Sequence, residues 1–341
     1  MNFICYTDWK HLPASADKLF ACGEQSSLFF SRRWFENIAS STLEEDQHML
    51  LACVVDGDNV LATLPLRTHP GGGWHALNSN HTSLFTLLHT DEKLQATLDC
   101  LAEGLSRLGF KTLRLEPVAQ DDASIDMLQA AMEARGIECN RFFRFINWSC
   151  QLREKSFEQY MSERPSRVRN TIARKRRKLQ REHEYQIRLY TDRYLDQAVA
   201  DYNTIYKASW KPGERFLDFV PSLVNTMVEV GWLRLAILYI NGSPAAGQIW
   251  FVVHGKASIF RLAYDEAWKK YSPGSILTAY LMEYVIDTDK VDSIDFLTGN
   301  EHYKQDWMSE SRERWRLVFV KKQARVKKSR PLTGLLEWLK P

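Results

Sequence analysis

The sequence predicts an α/β (α+β) fold laid down twice in 341 residues, as two domains that are each a mixed, mainly antiparallel twisted sheet flanked by helices. Three observations carry this reading. Residues 256–307 read as strand, basic turn, helix, strand and a polar loop entering a second helix. Residues 49–115 pass through the same order. The landmarks of the two stretches also keep one register: Gly57 with Gly242, Gly73 with Gly255, Leu94 with Leu277 and Leu113 with Ile294 lie 181 to 185 residues apart. A constant offset over several landmarks is the mark of an internal repeat.

Residues 1–47 read as mostly helical, most clearly at 31–38. Residues 49–55 and 60–68 are apolar runs joined across Asp56-Gly57-Asp58-Asn59, a hairpin signal. Pro70-Gly71-Gly72-Gly73 breaks the chain, 74–77 resumes it, and 78–83 is a polar loop. An amphipathic helix at 94–108 leads into a strand at 111–115 and a helix at 125–135 closed by Gly136. In the second unit, 232–240 and 248–253 flank the Asn241-Gly242 turn, and 257–264 is rich in β-branched and aromatic residues that suit a pleated surface. Ser272 is placed to cap a helix, and Pro273 offers a preset φ with no N–H to lose. Ile276, Leu277, Tyr280, Leu281, Tyr284 and Val285 recur at helical spacing, 287–290 closes the helix, and 293–297 returns as a strand. The domains are expected at 1–150 and 151–325, with a basic and apolar tail at 326–341.

Composition narrows the function. Hydrophobic content of 45% and charged content of 26% fit a globular chain with an ample core, and a net charge of +3 is too small for a global nucleic-acid binder. The six cysteines (5, 22, 53, 100, 139 and 150) show no CxxC spacing, which points to a reducing, cytoplasmic setting without zinc sites or a disulfide framework. The first ten residues have no signal-peptide pattern, and no apolar run is long enough to span a bilayer. His69, His75, His81 and His89 lack metal-ligand spacing, no HExxH occurs, and no metal is expected. His302, beside Tyr303, is a minor candidate for proton relay.

In the second unit Trp210-Lys211, Ala263-Tyr264-Asp265, Ser272-Pro273-Gly274, Asp295-Phe296, Gly299 and Tyr303-Lys304-x-x-Trp307 stand in an order that resembles the tandem GNAT acyltransferases of the CelD-like and Fem-type family. The resemblance covers nearly the whole chain. It implies an acyl-CoA N-acyltransferase that moves an acyl group, acetyl being the case the resemblance favours, to an amine on a sugar or a cell-envelope or polysaccharide precursor. A Fem-type aminoacyl-tRNA-dependent peptidyltransferase and a non-catalytic binding protein of the same fold are the alternatives. The usual phosphate loop, Q/R-x-x-G-x-G/A, is absent. Lys269-Lys270-Tyr271-Ser272-Pro273-Gly274 stands in its place, so coenzyme A binding is implied by position.

A helix start behind two lysines suits an anion, because free N–H groups, the helix dipole and the ammonium groups all favour a phosphate. The pyrophosphate is thus expected at Lys269, Lys270, Ser272, Pro273, Gly274 and Ser275, with the pantetheine arm along the strand ending at Tyr264. An alkylamine has a pKa of roughly 10.4, so transfer needs a base near neutral pH and an acid for the departing thiolate. Tyr303 is the candidate acid, and Asp295 is the candidate base with Glu301 and Asp265 as alternatives. Trp210, Lys211, Asp265 and Lys304 are expected to wall the acceptor.

Residues 164–181 hold nine basic side chains and no acid, with Val168, Ile172 and Leu179 as a thin apolar stripe. Arg169 and Arg176 there could grip an anionic acceptor. The same stretch could hold the coenzyme 3′-phosphate or a tRNA stem, or be a solvated face. The tail adds at most a peripheral contact with an anionic membrane surface.

Overall fold

Two tight turns set the sheet. Asn241 and Gly242 both take positive φ (51° and 78°), the geometry that closes a two-residue hairpin, and Gly57 does so at 59°. In the computed structural model, which describes residues 1–192, 194–299 and 301–321, these turns join long apolar strands. The C-terminal tail of the sequence reading lies outside the described residues.

The first half runs β1 (Asn2–Tyr6), α1 (Ala16–Ser26), α2 (Arg32–Ser41), β2 (Met49–Asp56), β3 (Asn59–His69), β4 (Gly73–Ala76), β5 (Leu88–His89), α3 (Leu94–Arg107), β6 (Thr112–Ala119), α4 (Ala123–Glu133) and β7 (Ile137–Gln151). The second runs α5 (Phe157–Ser162), α6 (Ser166–Glu182), β8 (Tyr185–Tyr190), α7 (Asp196–Lys207), α8 (Phe219–Glu229), β9 (Leu233–Ile240), β10 (Ser243–Val253), β11 (Lys256–Tyr264), α9 (Pro273–Glu283), β12 (Ser293–Asp295), α10 (Tyr303–Trp307) and β13 (Glu310–Lys321). The expected mixed α/β architecture, mainly antiparallel and flanked by helices, is what the chain adopts. No helix among the described residues is long and apolar enough to cross a membrane.

The halves share one sheet, ordered β1-β2-β3-β4-β6-β13-β7-β12-β11-β10-β9-β8, with β5 beside β3. The last strand of each half is seated in the middle: β13 pairs antiparallel with β6 and β7, and β7 pairs antiparallel with β12. Two parallel pairs, β4 with β6 and β11 with β12, stand at equivalent places in the two halves.

Three local expectations need correction. Residues 1–47 include β1, which pairs with the apolar β2 at the sheet edge. The strand expected over 293–297 stops at Asp295, because Leu297 turns the backbone left-handed (φ 52°). Ser272 makes no side-chain cap bond: it is itself left-handed (φ 53°), and its carbonyl receives the amides of Ser275 (3.1 Å) and Ile276 (3.2 Å).

Because β13, from the second half, is seated between β6 and β7 of the first, the two halves are expected to melt together. Phe319, fully buried on β13, should lose about 3–5 kcal/mol on truncation to Ala. Calorimetry of Phe319→Ala is expected to show a single transition at lower temperature; two separated transitions would contradict the shared core.

Candidate active site

The site arises where a parallel pair separates. β11 and β12 are paired only from Lys256 with Ser293 to Ser258 with Asp295. Beyond Ser258, β11 continues to Tyr264 with β10 on one side, and its other edge faces open space. β12 meanwhile bends away. The bend is held by Lys304, only 4% exposed, whose ammonium donates to the carbonyls of Phe296 (3.2 Å), Thr298 (2.5 Å) and Gly299 (3.4 Å) and pairs with Glu301 (3.0 Å).

A cavity of about 390 Å³ fills the gap. Its floor is the free part of β11, including Ile259, Arg261 and Tyr264. One wall is the start of α9 (Gly274, Ser275, Thr278), the other is Phe296–Thr298 with Glu301, Tyr303 and Lys304, and Trp210 and Lys211 also line it. Asn80 and His81 come from the first half, carried on the loop after β4.

Eight of the residues singled out in the sequence thus meet around one space: Tyr303, Glu301, Lys304, Trp210, Lys211, Tyr264, Gly274 and Ser275. Tyr303 sits on the rim, 42% exposed, with its ring 6.1 Å from Phe296. Burial first, and then the Glu301 carboxylate, hold its phenol above the ordinary tyrosine value, so it carries its proton at neutral pH. Trp210 leans on Tyr264 at 4.6 Å, and the Lys211 ammonium lies 5.9 Å from the Trp210 ring. Burial, then the Arg261 and Lys304 charges, lower Lys211 to about 8.

Other candidates are placed elsewhere. Asp295 does not line the cavity, since its Oδ1 accepts from Asn147 Nδ2 (2.6 Å) and the Leu297 amide (2.7 Å). Asp265 receives the Ala267 amide (2.9 Å) and caps the short turn before α9. Lys304 is a clamp on backbone carbonyls, so it is not free to meet a substrate. Lys269 and Lys270 are exposed outside the cavity; Lys269 faces Glu266, and Lys270 lies over the Tyr271 ring at 4.8 Å. Ser272 and Pro273 do not line the cavity: the Ser272 carbonyl receives the first amides of α9, and Pro273 is buried at its first position. The Gly274 amide is left over at the helix start, because the Ser275 and Ile276 amides return to Ser272 and Pro273 has none. Arg169 bonds the carbonyls of Ser162 (2.7 Å) and Arg164 (2.5 Å), closing the end of α5, and Arg176 reaches Tyr185 Oη (3.0 Å). Both border a separate groove between α6 and α9.

Sequence reasoning missed a charged network beside the cavity. Arg261, the one charge inside the apolar run of β11, pairs with Glu214 at 2.7 Å and lies 4.4 Å from the Tyr206 ring. His81 Nε2 lies 3.4 Å from Glu214 Oε1, and its ring stacks on Phe219. The isolated arginine in a strand was a usable signal. Glu214 and His81 had none, being loop residues joined only by the fold.

Residues 166–305 match the model of the acetyltransferase (GNAT) domain family, a stretch that holds β11, α9, β12 and most of the cavity. Among solved structures, the chain is similar to FemX, with a TM-score of 0.63 and 10% identity over 94% of this chain and 97% of that one. L-PGS from Bacillus licheniformis matches with a TM-score of 0.54 and 10% identity over 80% and 84%. A tandem GNAT protein from the clavulanic acid biosynthesis pathway matches with 0.51 and 12% over 93% and 97%. No curated protein matches in sequence. Residues 166–305 are therefore a GNAT-type domain by this match, and the likeness to solved structures shows that the chain as a whole has their fold.

Within this GNAT-matched stretch, Glu214 should stabilise the cavity through charge. The His81 contact first, and then Arg261, hold its carboxyl at about 2. The folded value is below the unfolded one, so this stabilisation is full above about pH 5 and lost as pH falls towards 2. Denaturant titrations of Glu214→Gln should show a loss of about 3 kcal/mol at pH 7, because Arg261 is left buried and unpaired, and a difference that closes in acid. A difference independent of pH would refute the charge pairing.

Proposed function

We propose that the protein is an acyl-CoA-dependent N-acyltransferase, moving an acyl group, with acetyl as the favoured case, from coenzyme A to an amine. The observation that carries this is the unpaired edge of β11 from Ile259 to Tyr264, which opens into the cavity and leads to the start of α9. A pantetheine arm carries amides that can add to such an edge as a further strand does. The Gly274 amide and the helix dipole would then meet the pyrophosphate. A side chain on Gly274 would stand 3.3 Å from the Tyr264 ring, so glycine keeps this approach open. Bound there, coenzyme A supplies the activated thioester.

The chain's own residues provide the rest. Lys211, neutral above about pH 8, accepts the proton of the acceptor ammonium, with Glu301 as the carboxylate on the same rim. The freed amine attacks the thioester carbonyl, and an amide on the β11 edge can support the oxyanion. The carbon–sulfur bond breaks, Tyr303 gives its proton to the departing thiolate, and the second proton shed by the nitrogen as the amide forms returns the phenolate to the phenol. An anionic amino sugar or envelope precursor is the favoured acceptor. A tRNA-borne aminoacyl donor is the second reading, supported by the exposed Arg174, Arg176 and Arg177 on α6.

Thiol release from acetyl-CoA with a panel of amines, against aminoacyl-tRNA as donor, tests the assignment. Tyr303→Phe is expected to lower kcat by about 10²–10³ while leaving coenzyme A affinity unchanged. A wild-type rate in that variant would remove Tyr303 as the acid. For Lys211, kcat/KM should climb with pH through about 8, and Lys211→Met should lose this limb. If the limb persists in the variant, the base is another group.

A further inference from the structure

The face of the sheet turned away from α4 carries a charge cluster that acyl transfer leaves unused. Arg141 reaches Gln129 and Asp126 on α4, so its strand partner Leu317 points that way. Arg316 and its partner Phe142 therefore point to the opposite face. There Glu116 collects Arg114, Arg144 (2.7 Å) and Arg316 (2.8 Å), three guanidinium groups on one carboxylate. Arg67 stands in the same cross-strand row, opposite His75, which in turn is opposite Arg114. The Nε atoms of Arg67 and Arg114 are buried and have no hydrogen-bond partner among the described residues. Burial first, and then His69 and the neighbouring arginines, push His75 down to about 3, as expected where positive charge is in surplus.

Guanidinium forks match phosphate oxygens two at a time, and a surplus of them around one acid favours an anion. Phe142 lies beside Arg316 and is 50% exposed, which offers a ring for stacking. We propose that this face binds a diphosphate, with the arginines around Glu116 taking its oxygens and Phe142 stacking on the organic group it carries. On the acyl-transfer reading, on which this assignment rests, the diphosphate belongs to the acceptor. His75 and Asn80 are five residues apart, so the cluster and the cavity are joined by a stretch spanning at most about 17 Å. That segment places one residue of the cluster's row and one residue of the cavity lining within a single short span.

Isothermal titration of the full chain with inorganic pyrophosphate and with UDP, at about 50 and 200 mM salt, tests the site. Both are expected to bind, more weakly at the higher salt. Arg144→Ala and Arg316→Ala should each weaken both by about tenfold or more. Phe142→Ala should weaken UDP about fivefold or more and leave pyrophosphate unchanged. Arg316 also holds Glu116, so melting temperatures and Arg316→Lys, expected to retain part of the affinity, separate loss of the site from loss of the fold. Absent heats with both probes, or affinities unchanged in Arg144→Ala and Arg316→Ala, would overturn the proposal. Equal effects of Phe142→Ala on both probes would overturn the stacking role. The titrations contain no acyl donor, so a failed site and a failed acyl-transfer reading leave separate signatures.

Discussion

Asn147 is the residue on which the architecture turns. It is fully buried on β7, and its amide nitrogen donates to Asp295 Oδ1 (2.6 Å) and to the Leu297 carbonyl (3.1 Å). Its oxygen accepts from Arg314 Nη2 on β13 (2.9 Å), and Arg314 Nε donates to the Ser83 carbonyl (3.3 Å). Four segments are joined in this way: both central strands, the end of β12, and the loop that carries His81. Buried charge is tolerated only when each member is paired, so the network admits one arrangement and penalises partial ones. It therefore fixes where β12 leaves the sheet, and that departure creates the cavity.

The cavity owes its chemistry to the same departure. Lys304 replaces the lost strand pairing by gathering carbonyls from the bend, which brings a buried ammonium close to Lys211 and Arg261. Three cations then face two carboxylates, Glu214 and Glu301. Glu214 is committed to Arg261 and His81, and Glu301 pairs with Lys304. Lys211 has the surplus charge and the least compensation, so its proton is the one most easily lost. A bend that is structural in origin thus tunes an amine for proton transfer.

Much of this was legible in residue order. The hairpin turns at Gly57 and Asn241-Gly242 and the helix opening at Pro273 could be read because local chemistry decided them, whereas Tyr264 and Tyr303 were reached through the family resemblance. The two central strands could not. In β13, Arg314 is a charge at a buried position, which a strand pattern would make apolar, because it meets Asn147. In β7, Phe142 and Phe143 are exposed, which blurs the alternation. Asp295 read as a base because it stands at the end of a strand near the cavity. Its partner Asn147 lies 148 residues away, beyond the reach of any spacing argument. Lys304 was expected to wall the acceptor and does line the cavity, but the carbonyls that engage its ammonium are brought to it by a bend that no residue spacing announces.

The two halves show why equivalent scaffolds need not hold equivalent sites. Lys93 and Ser272 open the crossover helices α3 and α9 with the same left-handed backbone (φ 51° and 53°), and each helix lies in the chain between the two strands of a parallel pair. In the first half, however, the parting strands are filled by the chain itself. Phe85 and Leu87 are buried there, the Phe85 amide donates to the Pro117 carbonyl (2.6 Å), and Asn78 Nδ2 donates to the Glu116 carbonyl (2.6 Å). This filling occupies the edge of β6, the counterpart of β12, and closes the gap that stays open in the second half. The loop that closes the first cleft also projects Asn80 and His81 into the second. Occluding one half and lining the other are thus done by one segment, which ties the open cavity to the presence of both halves.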